Sequence, residues 1–121
     1  MLPKGTTFIR IGHVWFNLTE PKGTNHKVLC VNFTCLDEEC PDDECPITSA
    51  EYNWVKGNYP TTIAFSRAQI WDADKIAACL KSRELRKPHQ GDVPATTVMK
   101  VYRIAILSRE LSDEKRALLL F

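Results

Sequence analysis

The chain has 121 residues, 44% of them hydrophobic, with 16 basic and 15 acidic side chains and a formal net charge of +1. That length suits one domain with a core of its own, and the near-balance of charge excludes a chain-wide pull on nucleic acid or membrane while leaving room for a local basic patch. No run of about 18 apolar residues predicts a membrane span, the first dozen residues lack the apolar core of a signal peptide, and five cysteines, an odd number, suit a reducing compartment, so a cytoplasmic location is expected.

After a Pro3-Lys4-Gly5 lead, Thr7 to Ile11 predicts a short strand. Gly12 to Thr34 then offers two apolar arms, HVWFNLT and KVLCVNFT, around EPKGTNH, whose Pro, Gly and Asn punctuate a turn. Val14, Phe16 and Leu18 alternate with His13, Trp15, Asn17 and Thr19. Val28, Cys30, Asn32 and Thr34 alternate with Leu29, Val31 and Phe33. Large apolar side chains on both sides predict an antiparallel pair at the centre of a sheet covered on both faces. Such a pair places His13 and Thr34 at the same end. Residues 35–46, CLDEECPDDECP, hold six carboxylates, three cysteines and two prolines and fit neither period; they predict an exposed acidic loop. A brief apolar return around Tyr52 and Trp54, a turn at Gly57, Asn58 and Pro60, and a further strand or two over Thr62–Trp71 follow.

Beyond this point the pattern turns helical. Asp72 or Asp74 can cap a helix over Lys75–Arg86 that buries Ile76, Ala77, Leu80 and Leu85. KPHQGDVP, with Pro88, Gly91 and Pro94, reads as a linker. Ala95–Leu107 has helical spacing, and Ser112 caps a last helix over Asp113–Leu120. Strands at about 7–71 and helices at about 74–120 predict one α+β domain over residues 1–121: a small, strongly bent antiparallel sheet or barrel with helices packed at one end.

Several side chains can carry chemistry. His13 suits proton transfer near neutral pH. Arg67, inside a predicted apolar strand, must snorkel or meet an anion, and Arg10 is similar. Lys75, Lys81, Arg83, Arg86 and Lys87 face one acid, Glu84, and could touch phosphate or form a solvated helix face. Trp54, Tyr59 and Phe65 could stack bases or fill the core. Cys30, Cys35, Cys40 and Cys45 recur every five residues, which is not the paired-knuckle spacing of structural zinc sites. Cys30 also falls in a predicted buried strand, so neither a metal nor a cofactor is expected. No phosphate-binding glycine loop or Ser-His-Asp signature occurs.

The succession GHVWFNLTEP, KVLCVNFT, an acidic loop ending at Cys45 and TTIAFSRAQI resembles the small barrel proteins related to the PemK and MazF toxins. It is most similar to a compact branch whose motifs fall here on His13, Val14, Thr19, Glu20 and Pro21, and on Val28, Leu29, Val31, Asn32 and Thr34. The resemblance covers about residues 5–110. It implies an SH3-like barrel followed by helices, commonly a homodimer, acting as a metal-independent endoribonuclease on single-stranded RNA and restrained by an antitoxin. On that reading His13 is the general acid or base, and Arg67, with Arg10 as substitute, stabilises the phosphorane. Thr34 and Asn32 position the substrate, and Lys81 and Arg83 hold the RNA backbone. Gly12-His13 stands where better-known toxins carry Arg-Pro, and Tyr52-Asn53-Trp54 stands where the compact branch carries a histidine turn. These departures favour an alternative, a non-catalytic protein-binding member of the same barrel.

Overall fold

The computed structural model describes residues 2–36, 42–53 and 60–120. Its elements are β1 (Thr7–Arg10), β2 (His13–Asn17), β3 (Lys27–Cys35), β4 (Pro46–Ile47), β5 (Thr61–Ile63), β6 (Gln69–Asp72), α1 (Ala73–Ser82), α2 (Ala95–Leu107) and α3 (Asp113–Leu120). Over the described residues the protein is α+β, a six-stranded antiparallel sheet with three helices, and among them no helix is long and apolar enough to cross a membrane. Among the described residues no ladder joins β1 to β4 or β6, so the sheet is not closed.

The central strand is β3, and it pairs on both edges. Leu18 N donates to Leu29 O, which turns the odd-numbered peptide groups toward β2; Ala64 N donates to Asn32 O on the opposite edge. That opposite edge is shared in succession by β6, along Lys27–Cys30, and β5, along Phe33–Cys35. The registers do not run on. Ile63 lies opposite Phe33, but Ile70, seven residues later, lies opposite Leu29, only four residues back. The three surplus residues are absorbed by a 3-10 turn, Phe65–Arg67. Arg67 therefore stands on this turn and not inside a strand, because one edge of β3 serves two partners out of register.

Both faces of the sheet carry a buried core, as the alternation of the two arms predicts, although the second is covered only in part. Val14, Phe16, Leu29, Val31, Phe33 and Ile63 form the larger core with Val98, Val101 and Ala105 of α2 and Leu119 of α3. Phe8, Trp15, Val28 and Cys30 form a second core with Ala73 and Ile76 of α1. The helices thus divide between the faces instead of gathering at one end. Large apolar side chains project from both faces of β2 and β3, and each face requires its own cover.

Helix boundaries follow local chemistry. Asp72 caps α1 through its carboxylate to the N–H groups of Asp74 and Lys75, and Arg83 closes the helix in the left-handed region at φ 67°. Ser112 Oγ accepts from Lys115 N at the start of α3. Because Arg83 takes that left-handed turn, the helix predicted over Lys75–Arg86 stops at Ser82, and Arg86 joins the predicted linker in a strap along the outer edge of β1: Ile9 N donates to Arg86 O, and Thr7 N to the Asp92 carboxylate. It covers the donors of an edge strand. Gly5, at φ 81°, lets the strap approach; an added Cβ would lie 2.8 Å from Val93 O and 2.9 Å from a Val98 methyl.

The acidic segment is not simply solvated. Asp42 is buried, and its carboxylate accepts from the N–H and hydroxyl of Ser66 at 2.9 and 2.8 Å. Glu44 accepts from the Ser108 hydroxyl and from Arg109 N at 3.1 Å, fastening the end of α2. Cys45 is buried at the entry to β4. These carboxylates meet N–H and hydroxyl donors from segments distant in sequence, so charge density alone misjudges them. Cys40 and its neighbours in residues 37–41 lie outside the described residues, as do Trp54 and Tyr59.

Candidate functional site

Residues directly opposite one another in an antiparallel pair project from the same face. The register sets Arg10 opposite His13, Phe8 opposite Trp15, Trp15 opposite Asn32, and Val28 opposite Trp71. Arg10, His13, Asn32 and Trp71 therefore share the face that carries the second core, and Thr34, two residues past Asn32, projects from it as well. The β2–β3 ladder ends at Trp15–Asn32, which leaves His13 and Thr34 just beyond its same end. Four of the residues singled out from sequence are thus assembled by three strands.

The tight turn between β1 and β2 fixes the first pair. Ile11 and Gly12 both take positive φ, 50° and 74°, the geometry of a two-residue hairpin. Directly opposed side chains in such a ladder hold their Cβ atoms about 4.5–5.5 Å apart, so Arg10 and His13 leave the sheet as neighbours on one face. The β-branched Ile11 is strained in this position and is 80% exposed.

Arg10 is further placed by Trp71. Its guanidinium carbon lies 4.9 Å from the Trp71 ring centroid, a cation–π contact, and Trp71 in turn packs against Trp15 at 4.7 Å and Phe8 at 6.0 Å. Beside this cluster opens a cleft of about 320 Å³ between the sheet and α1, lined among others by Phe8, Arg10, Trp71, Lys75, Ile76 and Leu85. Sequence reasoning missed Trp71. Its signal was the position immediately before the Asp72 helix cap, where β6 ends beside α1.

Asn32 is 1% exposed, and among the described residues neither atom of its amide has a hydrogen-bond partner. An orphaned buried amide costs about 1–3 kcal/mol, so it is a place where the fold gives up stability. Asn17, on the same face opposite Cys30, donates to the carbonyls of Leu2, Pro3 and Thr19 but leaves its own carbonyl oxygen unpartnered.

The remaining candidates are dispersed. Arg67 is half-buried on the 3-10 turn. Lys81 and Arg83 are exposed at the far end of α1, and Arg83 borders a separate cleft of about 430 Å³. Phe65 is fully buried in the larger core and cannot present a face to a base. His26 pairs with Asp74 at 2.8 Å, far from the ladder end. Among the described residues no group of three or more His, Cys, Asp or Glu side chains is arranged to hold a metal ion. Burial pushes the Cys30 thiol up, and it pushes Cys45 up to about 12 despite the nearby Lys100 charge.

Fold and site together define an α+β protein with a histidine–arginine pair at one end of its sheet, beside a tryptophan-floored cleft. No protein-family model, curated protein or solved structure matches the chain.

Proposed function

We propose that the protein is a toxin-like endoribonuclease of a toxin–antitoxin system, built on an SH3-like barrel related to PemK and MazF, that cleaves single-stranded RNA in the cytoplasm without a metal. The observation that carries this reading is the cross-strand pair of His13 and Arg10, on the face that also bears Asn32 and Thr34. Cleavage at a ribose needs few groups. His13 takes the 2′-hydroxyl proton as the 2′-oxygen attacks phosphorus, and water protonates the 5′-oxygen that departs on the opposite side, leaving a 2′,3′-cyclic phosphate. Arg10, held beside His13, offsets charge on the phosphorane; it displaces Arg67 from the first place that sequence reasoning gave it. Thr34 supplies a donor that orients the sugar or base, and Asn32, buried two residues before it on the same face, positions that surface without touching RNA. The central strand, with one edge shared by β5 and β6, supports a barrel-like ancestry.

Expression should arrest growth, and the purified protein should cut single-stranded RNA in EDTA. His13→Ala should slow cleavage by about two to four orders of magnitude. Single-stranded RNA of varied sequence left intact by the folded protein removes the ribonuclease reading.

One observation favours a second reading, a non-catalytic protein-binding member of the same fold. Ile11 is strained, apolar and largely exposed at the turn between Arg10 and His13. An antitoxin or other protein, or a second copy of the chain in a homodimer, could take it as an anchor. Capture of such a partner that is lost in Ile11→Asn, in a protein with no nuclease activity, selects this reading.

A further inference from the structure

The cleft between β1, β6 and α1 has an aromatic and aliphatic body made by Phe8, Trp71, Ile76 and Leu85, with two cations, Arg10 and Lys75, beside it. Among the described residues one carboxylate borders it, Asp72, which keeps its charge while accepting from the N–H groups of Asp74 and Lys75 as the cap of α1. Asp74 is likewise turned to His26. Two cations against one carboxylate give the apolar cleft a border with one net positive charge. At about 320 Å³ it lies at the lower end of the range for small-molecule sites, the size of a single nucleotide. A planar ring suits Trp71 and the guanidinium of Arg10, since bases stack on aromatic side chains and on arginine planes alike. An anionic phosphate suits the Lys75 ammonium.

We propose that this cleft is a nucleotide subsite that holds one base-and-phosphate unit of a single-stranded RNA, with the base against Trp71 and Arg10 and the phosphate on Lys75. The proposal rests on the ribonuclease reading and extends it, because Arg10 both lines the cleft and lies directly opposite His13. A nucleotide seated in the cleft brings the neighbouring phosphodiester toward the Arg10–His13 pair. The cleft thereby sets which nucleotide lies next to the scissile bond.

The test uses a fluorescein-labelled, fully 2′-O-methylated oligonucleotide, which lacks the nucleophile, so binding is read without cleavage. Lys75 is exposed, and Lys75→Ala and Lys75→Glu should fold as the parent does. Lys75→Ala should weaken binding about fivefold and lower the salt slope by about 0.7, the value for one lost contact to single-stranded nucleic acid; Lys75→Glu should weaken it further. The indole N–H resonance of Trp71, assigned by its disappearance in Trp71→Phe, should shift on addition of the oligonucleotide. Uridine monophosphate should compete better than inorganic phosphate. Unchanged affinity in both Lys75 variants, or an unmoved Trp71 resonance with RNA bound, overturns the subsite and leaves the ribonuclease reading standing. Phosphate competing as well as the mononucleotide overturns the base-stacking half. No binding by the parent protein overturns both.

Discussion

The face of the sheet beneath α2 and α3 is filled by Val14, Phe16, Val31, Phe33 and Ile63, and the polar groups bordering it have partners. Tyr52 donates to Gly91 O, Tyr102 to Leu119 O, and Arg116 grips the carbonyls of Ile106, Ser108 and Leu111. The face beneath α1 is covered only in part. It begins with Phe8, Trp15, Val28 and Cys30 and runs out into Arg10, His13, Asn32 and Thr34, with an orphaned amide and an open cleft. The two faces come from the same strands, often from adjacent residues, so composition does not separate them. What separates them is whether each buried polar atom is satisfied. Satisfied groups stabilise; unsatisfied ones cost stability and are kept where something else gains.

The largest effect expected from this contrast is on the filled face. Phe33 is fully buried, stacks on Tyr52 at 4.9 Å with the rings 5° from parallel, and lies 5.3 Å from Phe16. Phe33→Ala should cost about 3–5 kcal/mol, read by chemical denaturation, because close-packed aromatic neighbours cannot collapse into the gap. A loss below about 1 kcal/mol would mean that this face is as loosely filled as the other, and the comparison would fail.

Acid provides a second, smaller probe of the same face. Burial opposes ionisation of Glu44, but the hydrogen bonds from Ser108, Arg109 and Glu110 and the Arg109 charge outweigh it, so its pKa falls below the usual 4.5. For Glu51, burial is likewise outweighed by the Lys100 ammonium at 2.7 Å and by the Thr48 donors. A depressed folded-state value means that both carboxylates stabilise the fold fully above about pH 4.5 and lose that contribution as pH falls through the lower folded values. Both contacts tie α2 to the β4 region. Stability should thus decline below about pH 4.5, and Glu44→Gln should cost about 1 kcal/mol at neutral pH and flatten the decline. An unaltered pH profile in that variant would show that the tie to Ser108 and Arg109 contributes nothing.

Much of this architecture could be read from the chain. The two arms of the β2–β3 hairpin announced their alternation, α2 spans Ala95–Leu107 as its spacing predicts, and Asp72 and Ser112 mark helix starts by cap chemistry. What local pattern could not carry was pairing over distance. The three-residue slip between β5 and β6, which moved Arg67 onto a turn, is a property of β3's shared edge and leaves no mark in TIAFSRAQIW. The inward use of Asp42 and Glu44 depends on Ser66, Ser108 and Arg109. At the site, the shared end of His13 and Thr34 followed from hairpin geometry alone. Trp71 did not, because its partners Arg10, Phe8 and Trp15 lie on strands more than 50 residues earlier.

The smallest effect is also the most discriminating, since it reverses sign. Asn32 lies in the centre of the sheet, opposite Trp15, with both amide atoms unpartnered among the described residues. Leucine has a similar branched shape and no polar atoms to desolvate, so Asn32→Leu removes a penalty without opening a cavity. Stability should stay level or rise by about 1 kcal/mol, whereas nearly every other substitution of a buried residue lowers it. If the buried amide positions the residues that meet RNA, the same variant should bind or cleave RNA more weakly, giving a more stable and less active protein. A loss of more than about 1 kcal/mol would instead show that the amide is satisfied in the folded protein. Asn32 would then belong with the structural polar groups of the other face, and the distinction between the two faces would rest on Arg10 and His13 alone.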